Sequence, residues 1–138
     1  MQLELYQQET ERLALDLQTM LDEVAERLQQ QQPLSALEQA GVLHALQVLT
    51  ENSIGKAKLW IKHRNQMVPA SGYDAFAQLH RDRLVDDQTM KNWTAAIGLR
   101  NRIVHDYLNV DMTIVETLVK ERSEEHTSEL QSHHVISY

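Results

Sequence analysis

The chain has 138 residues, a formal net charge of −7 and no cysteine, so we expect one domain without disulfides or thiolate metal sites. The negative charge argues against broad, non-specific coating of nucleic acid, which requires many phosphate contacts from Lys and Arg, but it permits a small basic cleft. Because the sequence lacks a membrane-length apolar run, signal-peptide blocks and cysteines, we expect a cytoplasmic protein that does not engage a membrane.

Two long helices are predicted in the first half of the chain. Apolar residues with a helical period indicate a first helix from about Leu3 to Gln30, and the glutamine run before Pro33 ends it. Ser35–Glu38 has the Ser-x-x-Glu form of a capping box, which predicts the start of a second helix that continues to about Arg64.

Three further helices are predicted after the breaker cluster "VPASGYD". The third is expected from Tyr73 to about Arg83, where Tyr73 and Phe76 should pack it, and the fourth from about Asp87 to Leu108. A turn at Asn109–Asp111 precedes a fifth helix, "MTIVETLVKE". Because no strand-like alternation is present, we predict an all-α, up-and-down helical bundle. Five apolar residues of the fourth helix are expected to point inward: Met90, Trp93, Ile97, Val104 and Leu108.

The last residues, "RSEEHTSELQSHHVISY" (122–138), resemble the translation of a sequencing-library adapter. One stretch of adapter bases encodes Arg122–Ser132, and after a variable index the next bases encode Ile136–Tyr138 in the same frame. We therefore expect a helical domain over residues 1–121, with its last helix truncated, followed by a non-native tail. Excluding the tail from functional reasoning removes three of the seven histidines, which would otherwise suggest a metal site.

The segment "GLRNRIVHDYLNVD" (98–111) carries the most informative polar residues. At about 100° per residue, a helical wheel places Arg100, Asn101, His105 and Tyr107 on one broad face. Asn101 and His105 are four residues apart, so their side chains can touch, and the amide oxygen can fix the imidazole tautomer. The alternative is an ordinary solvated face, because an Arg-x4-His spacing is weak evidence by itself.

These residue types suit cleavage of RNA without a metal or a cofactor. A neutral histidine can take the proton of a ribose 2′-OH, and an arginine fork can stabilise the charge that builds on the scissile phosphate. The 2′-OH is then the nucleophile. One His and one Arg are few for acid–base catalysis, and a symmetric dimer would supply two of each.

The combination "RNRIVHDY", its "W…GLRN…HDY" context from Trp93 to Tyr107 and the following "LNVD" turn resemble the HepT family of HEPN-superfamily ribonucleases over about residues 1–121. The resemblance implies a HEPN-like homodimer that cleaves RNA, with tRNA as the expected substrate, as the toxin of a toxin–antitoxin pair. It makes Arg100 and His105 catalytic and Asn101 supporting. It also implies an MntA-like nucleotidyltransferase antitoxin as partner, which neutralises the toxin by adenylylating Tyr107. A rival hypothesis is a non-catalytic module that docks this enzyme and serves as its substrate.

A second group of cations lies late in the second helix, in "GKAKLWIKHRNQ" (55–66). One interpretation is a local electropositive wall that contacts the RNA backbone. The other is a solvated helix end, whose cations are favoured by the C-terminal helix dipole. The sequence leaves both open for Lys56, Lys58, Lys62 and Arg64.

Overall fold

A computed structural model of the chain describes residues 2–129, with side chains described for residue 5 and residues 8–121. Within residues 2–129 it contains helices and no strand, which confirms the predicted all-α class. No helix in this range is both long and apolar enough to cross a membrane. The helices are α1 (Gln2–Gln29), α2 (Ala36–His63), α3 (Gly72–Arg81), α4 (Asp87–His105) and α5 (Met112–Glu129), with a 3-10 turn at Tyr107–Asn109.

Side-chain caps fix the starts of the middle helices. The predicted capping box is formed at α2, where the Ser35 N–H donates to Glu38 Oε1 at 2.8 Å and the Glu38 N–H donates to Ser35 Oγ at 3.1 Å. Ser71 and Asp86 cap α3 and α4 by accepting from backbone N–H groups three residues on. These contacts explain why the starts of the three helices lie close to the predicted positions.

An ion pair ties the end of α1 to the start of α2. Arg27 forms a salt bridge with Glu38 and also donates from Nη2 to the Pro33 carbonyl at 3.1 Å. The hydrogen bond from Arg27, followed by that from the Ser35 backbone, lowers the pKa of Glu38 to about 2. The connection between the two helices is therefore held by side chains as well as by backbone turns.

The end of α4 differs from the prediction. The helix stops at His105, because Asp106 leaves the helical region with φ −149° and ψ 48°, and its carboxylate accepts from the Asn109 side chain at 2.7 Å. Such local side-chain bonds compete with helical hydrogen bonding. The predicted continuation to Leu108 was wrong, and so was the inward placement of Val104 and Leu108, which are 42% and 94% exposed.

The chain divides into two compact units, each with its own buried residues. In the first, residues 1–45 and 110–138, α1 packs on α5, and the buried apolar side chains include Leu17, Leu21, Val115 and Val119. The fifth helix continues past Glu121, the predicted end, to Glu129. Residues 130–138 of the predicted adapter-derived tail lie outside the described residues, and the origin of the tail stays a prediction.

The second unit, Leu46–Asn109, contains most of α2, then α3 and α4. Here α3 packs on α4, and the fully buried Phe76 ring stacks on Trp93, with centroids 5.0 Å apart and an interplanar angle of 12°. Leu79 and Ile97 are buried in the same unit. This packing holds α4, and therefore the polar segment "GLRNRIVHDY", on a well-packed support.

Candidate active site

Arg100 is held on α4 by a carboxylate that belongs to α2. Its Nε and Nη2 atoms donate to Glu51 Oε2 at 2.9 and 2.8 Å, and its Nη1 atom donates to Asn101 Oδ1 at 3.1 Å. Both side chains of the ion pair are half-buried, with 28% of Arg100 and 38% of Glu51 exposed. Partial burial and two charge-assisted hydrogen bonds give the guanidinium a defined orientation.

Glu51 is itself oriented by its own helix. Gln47, one turn earlier on α2, donates from Nε2 to Glu51 Oε2 at 3.2 Å. An arginine has five N–H groups, and among the described residues three of those of Arg100 have partners. The remaining two N–H groups lie one on each terminal nitrogen and are available to a phosphate oxygen. The site can therefore bind an anion while Glu51 keeps its hold on Arg100.

His105 is the last residue of α4 and its side chain is exposed. Within residues 8–121 its imidazole makes no hydrogen bond or ion pair. The expected contact with Asn101 is not formed, because the Asn101 oxygen accepts from Arg100 instead. The ring is thus accessible to a substrate, and no neighbouring side chain among these residues selects its tautomer.

Arg100 and His105 do not lie side by side. Five residues along a helix correspond to a rise of about 7.5 Å and a rotation of about 140° around the axis. The two groups are therefore presented from opposite edges of the broad helix face that carries both. A small substrate group can meet both only near this helix end, or with help from a second copy of the chain.

Tyr107 lies on the 3-10 turn that follows α4, and 48% of its side chain is exposed. The helical wheel that placed it beside Arg100 does not apply, because the helix has already ended at His105. The turn nevertheless leaves the phenol two residues from His105 and accessible to solvent.

A cavity of about 370 Å³ adjoins Arg100 within the second unit. It is bordered by Glu51, Ile54 and Lys58 of α2, by the start of α3, and by Ile97, Arg100 and Asn101 of α4. Tyr73, which was expected to pack α3, instead lines this cavity and is 48% exposed. The buried face of α3 is instead supplied by Ala75, Phe76 and Leu79.

The structure separates the four cations predicted on α2. Lys58 lines the cavity beside Arg100 and donates from Nζ to the Ala70 carbonyl at 2.6 Å. Lys62 and Arg64 are exposed, Lys56 is half-buried, and none of these three lines the cavity. Lys58 is therefore the cation of this group that the structure brings to the candidate site.

The described residues do not form a candidate metal site. No cluster of three or more His, Asp or Glu side chains with a suitable arrangement occurs in that part of the chain. The chemistry that the site offers comes from an imidazole, a guanidinium and a carboxylate. Glu51 was not predicted from the sequence, since its partner Arg100 is 49 residues away.

The described residues form an all-α fold in which one helix, α4, carries both Arg100 and His105. Residues 14–132 match the model of the family described as Ribonuclease HepT-like, and the chain belongs to this family. No curated protein matches the chain.

Three solved structures share the fold. One is a toxin–antitoxin with AMP-PNP, at 24% identity and a TM-score of 0.64, covering 84% of this chain and 93% of that one. A second is a tri-AMPylated HEPN toxin of Shewanella oneidensis in complex with MNT antitoxin, at 24% identity and a TM-score of 0.64, covering 84% of this chain and 92% of that one. A third is a tyrosine-to-alanine mutant of the toxin–antitoxin MntA–HpeT, at 23% identity and a TM-score of 0.63, covering 84% and 93%.

Proposed function

We propose that this protein is a metal-independent endoribonuclease that serves as the toxin of a toxin–antitoxin pair. The observation that carries the proposal is the Arg100 guanidinium, which Glu51 orients and which keeps an N–H on each terminal nitrogen. It lies on the same helix as the accessible His105. Membership of the HepT-like ribonuclease family supports the activity, and the toxin–antitoxin complexes with the same fold support the biological role.

In the proposed reaction, His105 accepts the proton of the ribose 2′-OH as this oxygen attacks the adjacent phosphorus. The bond from phosphorus to the 5′-oxygen breaks, and this oxygen receives a proton from the protonated His105 of a second copy of the chain. Arg100 stabilises the added negative charge on the phosphate oxygens in the transition state. The products are a 2′,3′-cyclic phosphate and a 5′-hydroxyl, and tRNA is the substrate to test first.

Cleavage in the presence of a metal chelator tests this chemistry. The purified chain should cut RNA at an undiminished rate in EDTA, and mapping of the ends should give a 2′,3′-cyclic phosphate and a 5′-hydroxyl. A requirement for a divalent cation, or 5′-phosphate ends, would contradict the mechanism. No cleavage by a folded dimer would favour the rival function, a non-catalytic module that a nucleotidyltransferase modifies.

We further propose that the active form is a two-fold homodimer. One copy supplies a single imidazole, and the His105 of a second copy can supply the acid that the reaction needs. Beside His105, the apolar side chains of Val104 and Leu108 are exposed, at 42% and 94%. This surface is where we expect the two copies to meet.

Leu108→Asp is therefore expected to shift the protein from dimer to monomer and to lower cleavage, because it introduces a charge into the proposed interface. Sedimentation velocity measures the first effect and an RNA cleavage assay the second. Leu37→Asp is the matched control, since Leu37 is an exposed leucine, at 83%, on α2. A Leu108→Asp chain that stays dimeric would contradict the proposed interface.

Glu51 is proposed as a positioning residue for Arg100. Glu51→Ala should lower kcat by about 10- to 100-fold, since a misplacement of about 1 Å in a catalytic group is enough for a loss of this size. It should not raise KM, because loss of a negative charge does not weaken attraction of RNA. Glu51→Gln, which keeps an oxygen acceptor, should lose less. Single-turnover and steady-state kinetics measure the effects on kcat and on KM separately. A Glu51→Ala variant that raises KM at unchanged kcat would contradict this role.

We propose that Tyr107 is the residue that a partner nucleotidyltransferase adenylylates. An attached AMP adds bulk and negative charge two residues from His105, so it should repel the RNA phosphates. Tyr107→Phe should abolish labelling from ATP and leave the protein toxic when the partner enzyme is present. Tyr73→Phe is the matched control, because Tyr73 is equally exposed at 48%, and it should still be labelled. Mass spectrometry that finds AMP on a Tyr107→Phe chain would contradict the assignment.

A further inference from the structure

The cavity beside Arg100 has walls that suit a flat ring with polar edges. Ile54 and Ile97 provide apolar surface, and the half-exposed Tyr73 provides an aromatic ring. Arg100, Asn101 and Lys58 also border the space and supply polar groups. Apolar walls with a few converging polar groups are typical of a small-ligand site.

We propose that this cavity binds the base of one nucleotide of the RNA, next to the phosphate that Arg100 contacts; this inference rests on the proposed function. Proteins that read single-stranded RNA stack splayed bases on aromatic side chains and bond to their edges. Tyr73 is the side chain of the cavity that can stack on a base. The assignment adds a substrate-binding subsite, and so a source of sequence preference, to the cleavage site.

The size of the cavity favours one nucleotide. Its volume is about 370 Å³, near the lower end of the range of roughly 300 to 1,000 Å³ that small-ligand pockets occupy. Its charge favours a base over a second phosphate. The carboxylate of Glu51 pairs with Arg100, and the ammonium group of Lys58 already donates to the Ala70 carbonyl. The walls therefore carry one net positive charge, that of Lys58, and its ammonium group is already engaged by the Ala70 carbonyl.

Gly72 keeps one wall of the cavity in place. A Cβ atom at this position would lie 2.5 Å from Ile54 Cδ1 and 2.8 Å from Ile54 Cγ1, so the isoleucine side chain would have to move. Because Ile54 and Gly72 both border the cavity, an alanine here would alter its shape without removing a polar group. Gly72→Ala is therefore a second test that does not touch Tyr73.

The first experiment measures binding directly, without reference to cleavage. AMP, CMP, GMP and UMP are titrated into the full chain by calorimetry. At least one should bind saturably, and Tyr73→Ala and Gly72→Ala should each weaken it about tenfold, as expected for loss of base stacking or of the fitted wall. Tyr73→Phe keeps the ring and should keep the affinity. Met67→Ala, an exposed residue of the same unit that does not line the cavity, is the matched control.

The second experiment separates a base of RNA from a free nucleotide ligand. A labelled RNA oligonucleotide is bound to the His105→Ala chain, so that it stays intact, and the best-binding mononucleotide is added. Displacement of the RNA, with weaker RNA binding in the Tyr73→Ala and Gly72→Ala variants, supports the inference. A nucleotide that binds without displacing RNA would assign the cavity to a free nucleotide and overturn it.

The two proposals can fail separately. The base subsite is overturned if no nucleotide binds saturably at millimolar concentration, or if neither cavity variant weakens the binding. Neither result contradicts RNA cleavage by the wild type. Displacement of RNA by a nucleotide at this cavity, in a wild-type chain that never cleaves RNA, supports the subsite and contradicts the proposed ribonuclease activity.

Discussion

Replacing His105 by alanine is expected to lower the rate of RNA cleavage by about 10²- to 10⁴-fold, the usual contribution of one general acid–base group. In the proposed reaction this imidazole takes the 2′-OH proton, and alanine has no group that can replace it. The exposed position at the end of α4 makes a large loss of stability unexpected, since surface substitutions without special contacts usually have small effects.

The control for this prediction is His44→Ala. His44 is an exposed histidine on α2, so its replacement removes the same side chain from another surface. The cleavage rate of each variant is measured under single-turnover conditions with one RNA substrate. Thermal unfolding of each variant shows whether its stability has changed. A His105→Ala chain that retains wild-type cleavage would rule out the proposed acid–base role and direct attention to another catalytic group.

Arg100→Ala is expected to lower the cleavage rate by about 10²- to 10³-fold, comparable to the removal of one preorganised donor to developing charge. Arg100→Lys should recover little of this loss. The guanidinium holds Glu51 with two N–H groups and Asn101 with a third, while retaining one N–H on each terminal nitrogen. A lysine has a single ammonium group and cannot maintain this geometry and bind a phosphate through a planar fork.

Arg102→Ala is the matched control for Arg100, because Arg102 is an exposed arginine two residues further along α4. Its loss should leave the catalytic rate nearly unchanged. Added guanidinium ion should restore part of the activity of Arg100→Ala and none of the activity of His105→Ala. Equal losses in the Arg100 and Arg102 variants would show that overall positive charge, rather than the oriented fork, is what matters.

The sequence predicted the helices well where local contacts decide them. The Ser35–Glu38 capping box depends on residues three positions apart, so its pattern is readable in the sequence. The end of α4 was missed because a periodic apolar pattern continues through Leu108. The hydrogen bond between the Asp106 and Asn109 side chains, which competes with helical bonding, is harder to recognise in the sequence than this periodicity.

The candidate site was predicted only in part, for a physical reason. Arg100 and His105 belong to one short motif, and so their common helix could be predicted. The partner of Arg100 could not, because Glu51 comes from another helix and approaches through tertiary packing. The cavity position of Tyr73 depends likewise on how α3 packs, since Phe76 takes the buried place.

The central claim is that this site cuts RNA by attack of the 2′-OH, and one substitution in the substrate tests it most directly. Cleavage in EDTA is compared for an RNA and for the same RNA with a single 2′-deoxyribose at the mapped cut site. The mechanism predicts cleavage of the first and no cleavage of the second at that position. A similar rate for both would show that water or another nucleophile attacks the phosphate, and would contradict the account.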